Sequence, residues 1–165
     1  MLRLTNIYKL FNPGSVDEKT ALAGINLQLN PGDFVTVIGS NGAGKSTLMN
    51  VISGALQPDM GEVVIDGRDV TRMPEFRRSA FIGRVFQDPM AGTAPRMTIE
   101  ENLAMAWKRG QPRGLKFGVT RRKREFFREQ LARLGIGLEN RLFAKVGLLS
   151  GGERQALSLL MATFT

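Results

Sequence analysis

One run of nine residues limits the possible folds most: Gly39-Ser40-Asn41-Gly42-Ala43-Gly44-Lys45-Ser46-Thr47. Before it stands Phe34-Val35-Thr36-Val37-Ile38, a short β-branched apolar run. After it, Leu48, Val51, Ile52 and Ala55 recur at helical spacing. A strand, a glycine-rich turn with G-x-x-x-x-G-K-S spacing and a helix together predict a phosphate-binding loop. The physics favours that reading. Glycines let backbone N–H groups turn inward and approach phosphate oxygens, and a helix start offers unpaired N–H groups and a positive dipole end. Lys45 is predicted to reach the β- and γ-phosphates, Ser46 to ligate Mg²⁺, and Thr47 to add a phosphate hydrogen bond. The strand over residues 34–38 is predicted to be buried in a parallel sheet.

The flanking sequence reads as an α/β chain. Alternation predicts strands over 2–7 and 22–29, and Asn30-Pro31-Gly32-Asp33 closes the second. A helix is predicted over 45–55 and a strand over 62–66, ending in the hairpin signal Asp66-Gly67. A further buried strand is predicted over 81–86. Beyond Asp88-Pro89 the pattern turns helical. Thr98-Ile99-Glu100-Glu101 has the spacing of a capping box and opens a helix to about Lys108. A second helix over 119–134 gathers Phe126, Phe127, Gln130, Leu131 and Leu134 on one side. Residues 91–146 therefore read as a helical subdomain inserted in a core made of 1–90 and 147–165.

Composition narrows the chemistry. With no Cys and no His, the chain has neither a thiolate nor an imidazole for metal binding or catalysis. No apolar run reaches the roughly 18–20 residues that span a bilayer. The net charge of +8 is uneven: Lys108, Arg109, Arg113, Lys116, Arg121, Arg122, Lys123, Arg124 and Arg128 face only Glu125. Such a stretch serves either as a solvated helix face or as a contact for nucleic acid, anionic headgroups or an acidic partner.

A second glycine motif, Leu149-Ser150-Gly151-Gly152-Glu153, precedes Leu157, Leu160 and Met161 on a helical face. Ser150 and Glu153 have capping-box spacing. Two glycines in a first turn cost roughly 1 kcal/mol each in helix propensity relative to Ala, and they bare N–H groups for a second anion site.

With this motif after the phosphate loop, the chain resembles the ATP-binding subunit of an ABC transporter: an α/β P-loop NTPase core with an N-terminal antiparallel β subdomain and a helical subdomain insertion. The resemblance implies that Ser150, Gly151, Gly152 and Glu153 form the signature motif, with Glu153 where the family usually has Gln. It implies that Gln87, in Phe86-Gln87-Asp88-Pro89, touches Mg²⁺ or the attacking water. It also implies that Phe11, or less suitably Tyr8, stacks on adenine. The cofactors implied are ATP and Mg²⁺. The partners are a second ATP-binding subunit, in a head-to-tail homodimer or heterodimer, and membrane-spanning subunits docked on the helical subdomain. The implied location is the cytoplasm, peripheral on the inner face of the cell membrane, and nucleic acid is not an expected partner.

No acidic residue follows Glu153, whereas the family places a metal-associated Asp and a catalytic Glu after the signature helix. The chain is therefore expected to be truncated and to bind ATP with little or no hydrolysis. In the family, ATP binding and hydrolysis drive solute transport through membrane partners, and the solute the resemblance suggests is an amino acid taken up. A soluble ABC-type ATPase acting on nucleic acid or ribosomes, and a non-catalytic remnant, stand as the alternatives.

Overall fold

The computed structural model describes residues 1–112, 114 and 117–164. They form two compact units, Met1–Arg78 and Ser79–Thr165.

The first unit is built on an antiparallel sheet. Strand β1 spans Leu2–Phe11, β2 Lys19–Leu29, β3 Met60–Ile65 and β4 Arg68–Asp69, in the order β2-β1-β3-β4. β1 and β2 form a hairpin with irregular register between Leu4 and Leu10. The Asp66-Gly67 signal is realised, with φ of 47° and 76° at the two turn residues, the left-handed pair that a tight hairpin needs. Helix α1 runs Lys45–Ser53 and α2 Glu75–Arg78. Leu4, Ile7, Leu22 and Val63 lie inside, Leu4 and Ile7 sharing a face because the register shifts between them, with Val51 from α1. Asp59 accepts hydrogen bonds from Leu10 N (2.7 Å) and Lys9 Nζ (2.8 Å), so the turn before β3 is pinned to β1. The bond from the Leu10 amide, followed by the Lys9 ammonium, holds the Asp59 carboxyl below its ordinary range.

Arg78 is fully buried in this unit. Its guanidinium donates to the carbonyls of Val51 (2.6 Å), Ile52 (3.0 Å), Thr71 (2.9 Å) and Met73 (3.1 Å). Carbonyls at a helix C-terminus lack intrahelical partners, and Arg78 supplies them for α1 while tying that helix to the strand-to-helix connection.

The second unit is helical. Helix α3 spans Ile99–Trp107, α4 Arg121–Ala132 and α5 Gly151–Ala162, with 3₁₀ turns at Leu138–Asn140 and Val146–Leu148. Its core joins Ile99, Leu103, Phe127, Leu131, Leu138, Val146 and Leu157, all fully buried. Trp107 meets the edges of Phe126 and Phe164 at ring-centroid distances of 4.8 and 5.5 Å. The faces predicted for α4 and α5 are therefore the ones turned to the core. Helix α5 stops at Ala162 with Thr163 as its C-cap.

Two expected strands are corrected. Residues 34–38 form no strand, and Phe34 and Ile38 are 94% and 90% exposed. Residues 81–86 form none either. A strand is stable only when neighbours take its N–H and C=O groups, and a parallel one needs partners on its flanks. The strands of the sheet pair antiparallel with one another, and neither segment forms a ladder with any of them. Helix α1 also ends two residues earlier than predicted, because Gly54 adopts φ of 86° and its N–H returns to Asn50 O.

Candidate functional site

Gly39 to Thr47 wrap the start of α1, inside the first unit. Gly44 is the N-cap with φ of 85°, a left-handed conformation that favours glycine. A side chain there would also collide with the Ala21 carbonyl oxygen of β2, so the loop can pass this close to the sheet only with glycine. Ala43 N donates to Ser40 O (3.2 Å), and the helix closes its first bond from Leu48 N to Gly44 O (2.8 Å). Among the described residues, no side chain caps this start and no acceptor meets the N–H groups of Lys45, Ser46 and Thr47. Helices α3, α4 and α5 differ: each begins with a hydroxyl that accepts an amide of its first turn. Lys45 folds back over the loop, with Nζ 2.7 Å from Gly39 O and 2.8 Å from Ser40 O. Its ammonium is thus held against the loop that leads into the open amides of α1. A phosphate fits such a set of donors.

Phe11 ends β1, half-buried and paired in register with Lys19. Lys9 Nζ lies 5.9 Å from its ring centroid. Tyr8, the other aromatic candidate, is 38% exposed and covers Gly24 of β2. Lys19 then reaches toward the loop, since a methyl group on Gly42 would sit 3.5 Å from its Nζ. The fold therefore links the aromatic position to the glycine loop through a residue that the sequence reading passed over. Lys19 and Gly42 are distant in sequence: the hairpin register sets Lys19 beside Phe11, and the fold of the glycine loop brings Gly42 near its Nζ.

The second unit holds the other glycine motif. Ser150 is the N-cap of α5, and both halves of its capping box form: Glu153 N donates to Ser150 Oγ (3.3 Å) and Ser150 N to Glu153 Oε2 (2.7 Å). Added side chains on Gly151 and Gly152 would meet only open space, so neither glycine is required by packing within the unit. Arg141 Nη1 donates to Glu153 Oε1 at 2.6 Å. The Ser150 amide, then its hydroxyl, with Arg141 adding to both, hold the Glu153 carboxyl below its ordinary 4.5. Arg154, also unused in the sequence reading, donates to the carbonyls of Val146, Gly147 and Leu149 (3.4, 3.3 and 2.8 Å) and to Met90 Sδ (2.7 Å). It fixes the turn that delivers Ser150 and joins it to the segment after Gln87. Gln87 is exposed in a bend, and Gly92 approaches Ser158 of α5 so closely that a methyl there would lie 3.0 Å from its Oγ. Gln87 and the Ser150–Glu153 turn thus belong to one compact unit.

The basic stretch is largely satisfied within the chain. Arg124 forms a two-point pair with Glu100 (2.6 and 3.1 Å), Arg121 pairs with Glu125 (3.3 Å), and Lys123, Arg128 and Arg109 donate to the carbonyls of Gly118, Glu139 and Met161. Arg113 and Lys116 lie outside the described residues.

The family model for "ABC transporter" matches residues 22–165. The chain belongs to the ABC transporter family. Among curated ABC relatives it is 39% identical to the "Tyrosine transport ATP-binding protein" of Clostridioides difficile, over 99% of this chain and 64% of that protein. It is 38% identical to the "Ribose import ATP-binding protein RbsA 1" of Rubrobacter xylanophilus, over 98% of this chain and 30% of that one. This ABC chain therefore spans less than two thirds of either relative. A dimeric ATP-binding cassette solved in a post-hydrolysis state with ADP and Pi superposes with a TM-score of 0.80 at 30% identity, over 98% of this chain and 68% of that one. The P-loop NTPase fold class expected from sequence is borne out. Among the described residues, no helix of this ABC chain is long and apolar enough to cross a membrane.

Proposed function

We propose that this chain is the nucleotide-handling part of an ABC transporter subunit that couples ATP binding and hydrolysis to solute transport. The uncapped start of α1 beneath a glycine loop that cradles the Lys45 ammonium carries this reading. ATP would lay its base on Phe11 and its phosphates on the N–H groups of residues 39–47, against Lys45 and Thr47. Ser150, Gly151, Gly152 and Glu153 would meet the nucleotide held by a second cassette, in a head-to-tail homodimer or heterodimer. The dimeric assembly of the solved cassette supports that arrangement.

Mg²⁺ fits the donors on hand. The exposed Ser46 hydroxyl, at the start of α1, is a hard oxygen ligand, and Mg²⁺ keeps several waters and phosphate oxygens around few protein ligands. Bound there, it would neutralise phosphate charge during transfer. Gln87 would hold the attacking water or the ion. Residues 91–146 would dock membrane-spanning subunits at the inner face of the membrane. The name of the Clostridioides difficile relative makes an amino acid the first solute to try. A nucleic-acid role draws little from the basic stretch, whose cations mostly have intrachain partners.

Equilibrium titration with ATP and ADP tests the core of this reading. Wild type should bind both, and Lys45→Ala should lose at least tenfold in ATP affinity. Equal binding by the two proteins would refute a phosphate role for the loop.

A further inference from the structure

We infer that Lys19 is a second nucleotide cation, serving the phosphate nearest the sugar. This rests on the proposed seat of the nucleotide and adds a contact to it. Three observations converge. Lys19 is the register partner of Phe11 across the β1–β2 hairpin. Its Nζ sits 3.5 Å from where a Gly42 side chain would begin, so it overhangs the glycine loop. Its ammonium makes no ion pair or hydrogen bond with any described residue, and the residue is exposed, although Glu18 lies next to it in sequence. An ammonium standing free between an aromatic ring and a loop of open amides matches the charge of a phosphate that leads away from a stacked base. Lys45 is committed to the far end of the same loop, at the carbonyls of Gly39 and Ser40. The two lysines therefore divide the phosphate chain between them.

Titrations of the full chain with ADP and ATP test this, using wild type, Lys19→Ala, Lys19→Arg and Lys45→Ala, with circular dichroism to verify folding. Lys19→Ala should weaken ADP and ATP by the same factor, about five- to tenfold, because the phosphate it serves is common to both. Lys19→Arg should restore most of the loss. Lys45→Ala should hurt ATP more than ADP. If Lys19→Ala binds like wild type while Lys45→Ala is impaired, the inference fails and the proposed seat stands. A loss confined to ATP places Lys19 elsewhere and also overturns it. If wild type binds neither nucleotide, both fail together.

Discussion

Arg141 and Glu153 form an ion pair, Nη1 to Oε1 at 2.6 Å, while the other oxygen of the same carboxylate closes the capping box on Ser150 N at 2.7 Å. One carboxylate thus caps helix α5 and has its charge balanced by Arg141, which ends the 3₁₀ turn Leu138–Asn140. The glutamate at the usual Gln position therefore brings little uncompensated negative charge to the Ser150 turn.

The pair gives a pH signature. The Glu153 carboxyl is held below 4.5 in the folded chain, so its stabilising contribution is complete above that pH and is lost as pH falls through the depressed folded value. Glu153→Gln keeps a capping partner but cannot titrate. The gap in melting temperature between wild type and Glu153→Gln should be constant from pH 7 to about 5 and shift against wild type below about 4.5. A gap independent of pH would show that the carboxylate is not so held. Arg141→Ala should move the shift to higher pH.

The two capping boxes offer a controlled comparison. Thr98→Ala and Ser150→Ala should each cost about 1 kcal/mol in denaturant unfolding, since both hydroxyls accept an N3 amide. On the proposed function, only Ser150→Ala should also weaken ATP-dependent association of cassettes, measured by sedimentation. Equal effects of both on association would assign Ser150 a purely structural role.

Buried Arg78 is the most sensitive residue of the first unit. Arg78→Ala would strand four carbonyls in the interior, at a cost on the order of 3 kcal/mol or more. Arg78→Lys has too few donors in the wrong geometry and should lose about half as much. Chemical denaturation checks both, and a neutral Arg78→Ala would mean that water replaces the guanidinium. Gly54→Ala should act at the same place, because its methyl would begin 2.8 Å from Arg78 Nε at a φ of 86°.

Exposed Phe34 and Ile38 predict poor solubility. Large apolar side chains standing free are association sites. Phe34→Ser with Ile38→Thr should lower light scattering at a given concentration without reducing the thermal midpoint. A fall in the midpoint would instead place these side chains in a core.

Local signals translated into structure almost residue for residue. Thr98 with Glu101 and Ser150 with Glu153 act over three positions, and Asp66-Gly67 over two, so spacing alone contains their geometry. Phe127, Leu131 and Leu157 were legible for a related reason, since helical period sorts one face from the other. Residues 34–38 misled because β-branched apolar composition states a preference, while strand formation also demands neighbours. Arg78 was illegible: nothing in Arg77-Arg78 distinguishes a buried guanidinium from an exposed one. Lys19 was illegible because its significance lies in a hairpin register that sets it beside Phe11 and in the tertiary approach of the Gly42 loop.

Helix α1 is bonded very differently at its two ends. At Val51 and Ile52 a guanidinium clamps the backbone, whereas at Lys45 to Thr47 the amides stand open. The helix is a lever pinned at its far end, and an anion arriving at the free end would tighten one turn without displacing the rest. Amide exchange should therefore slow on nucleotide addition at residues 45–47 and hardly change near the pin.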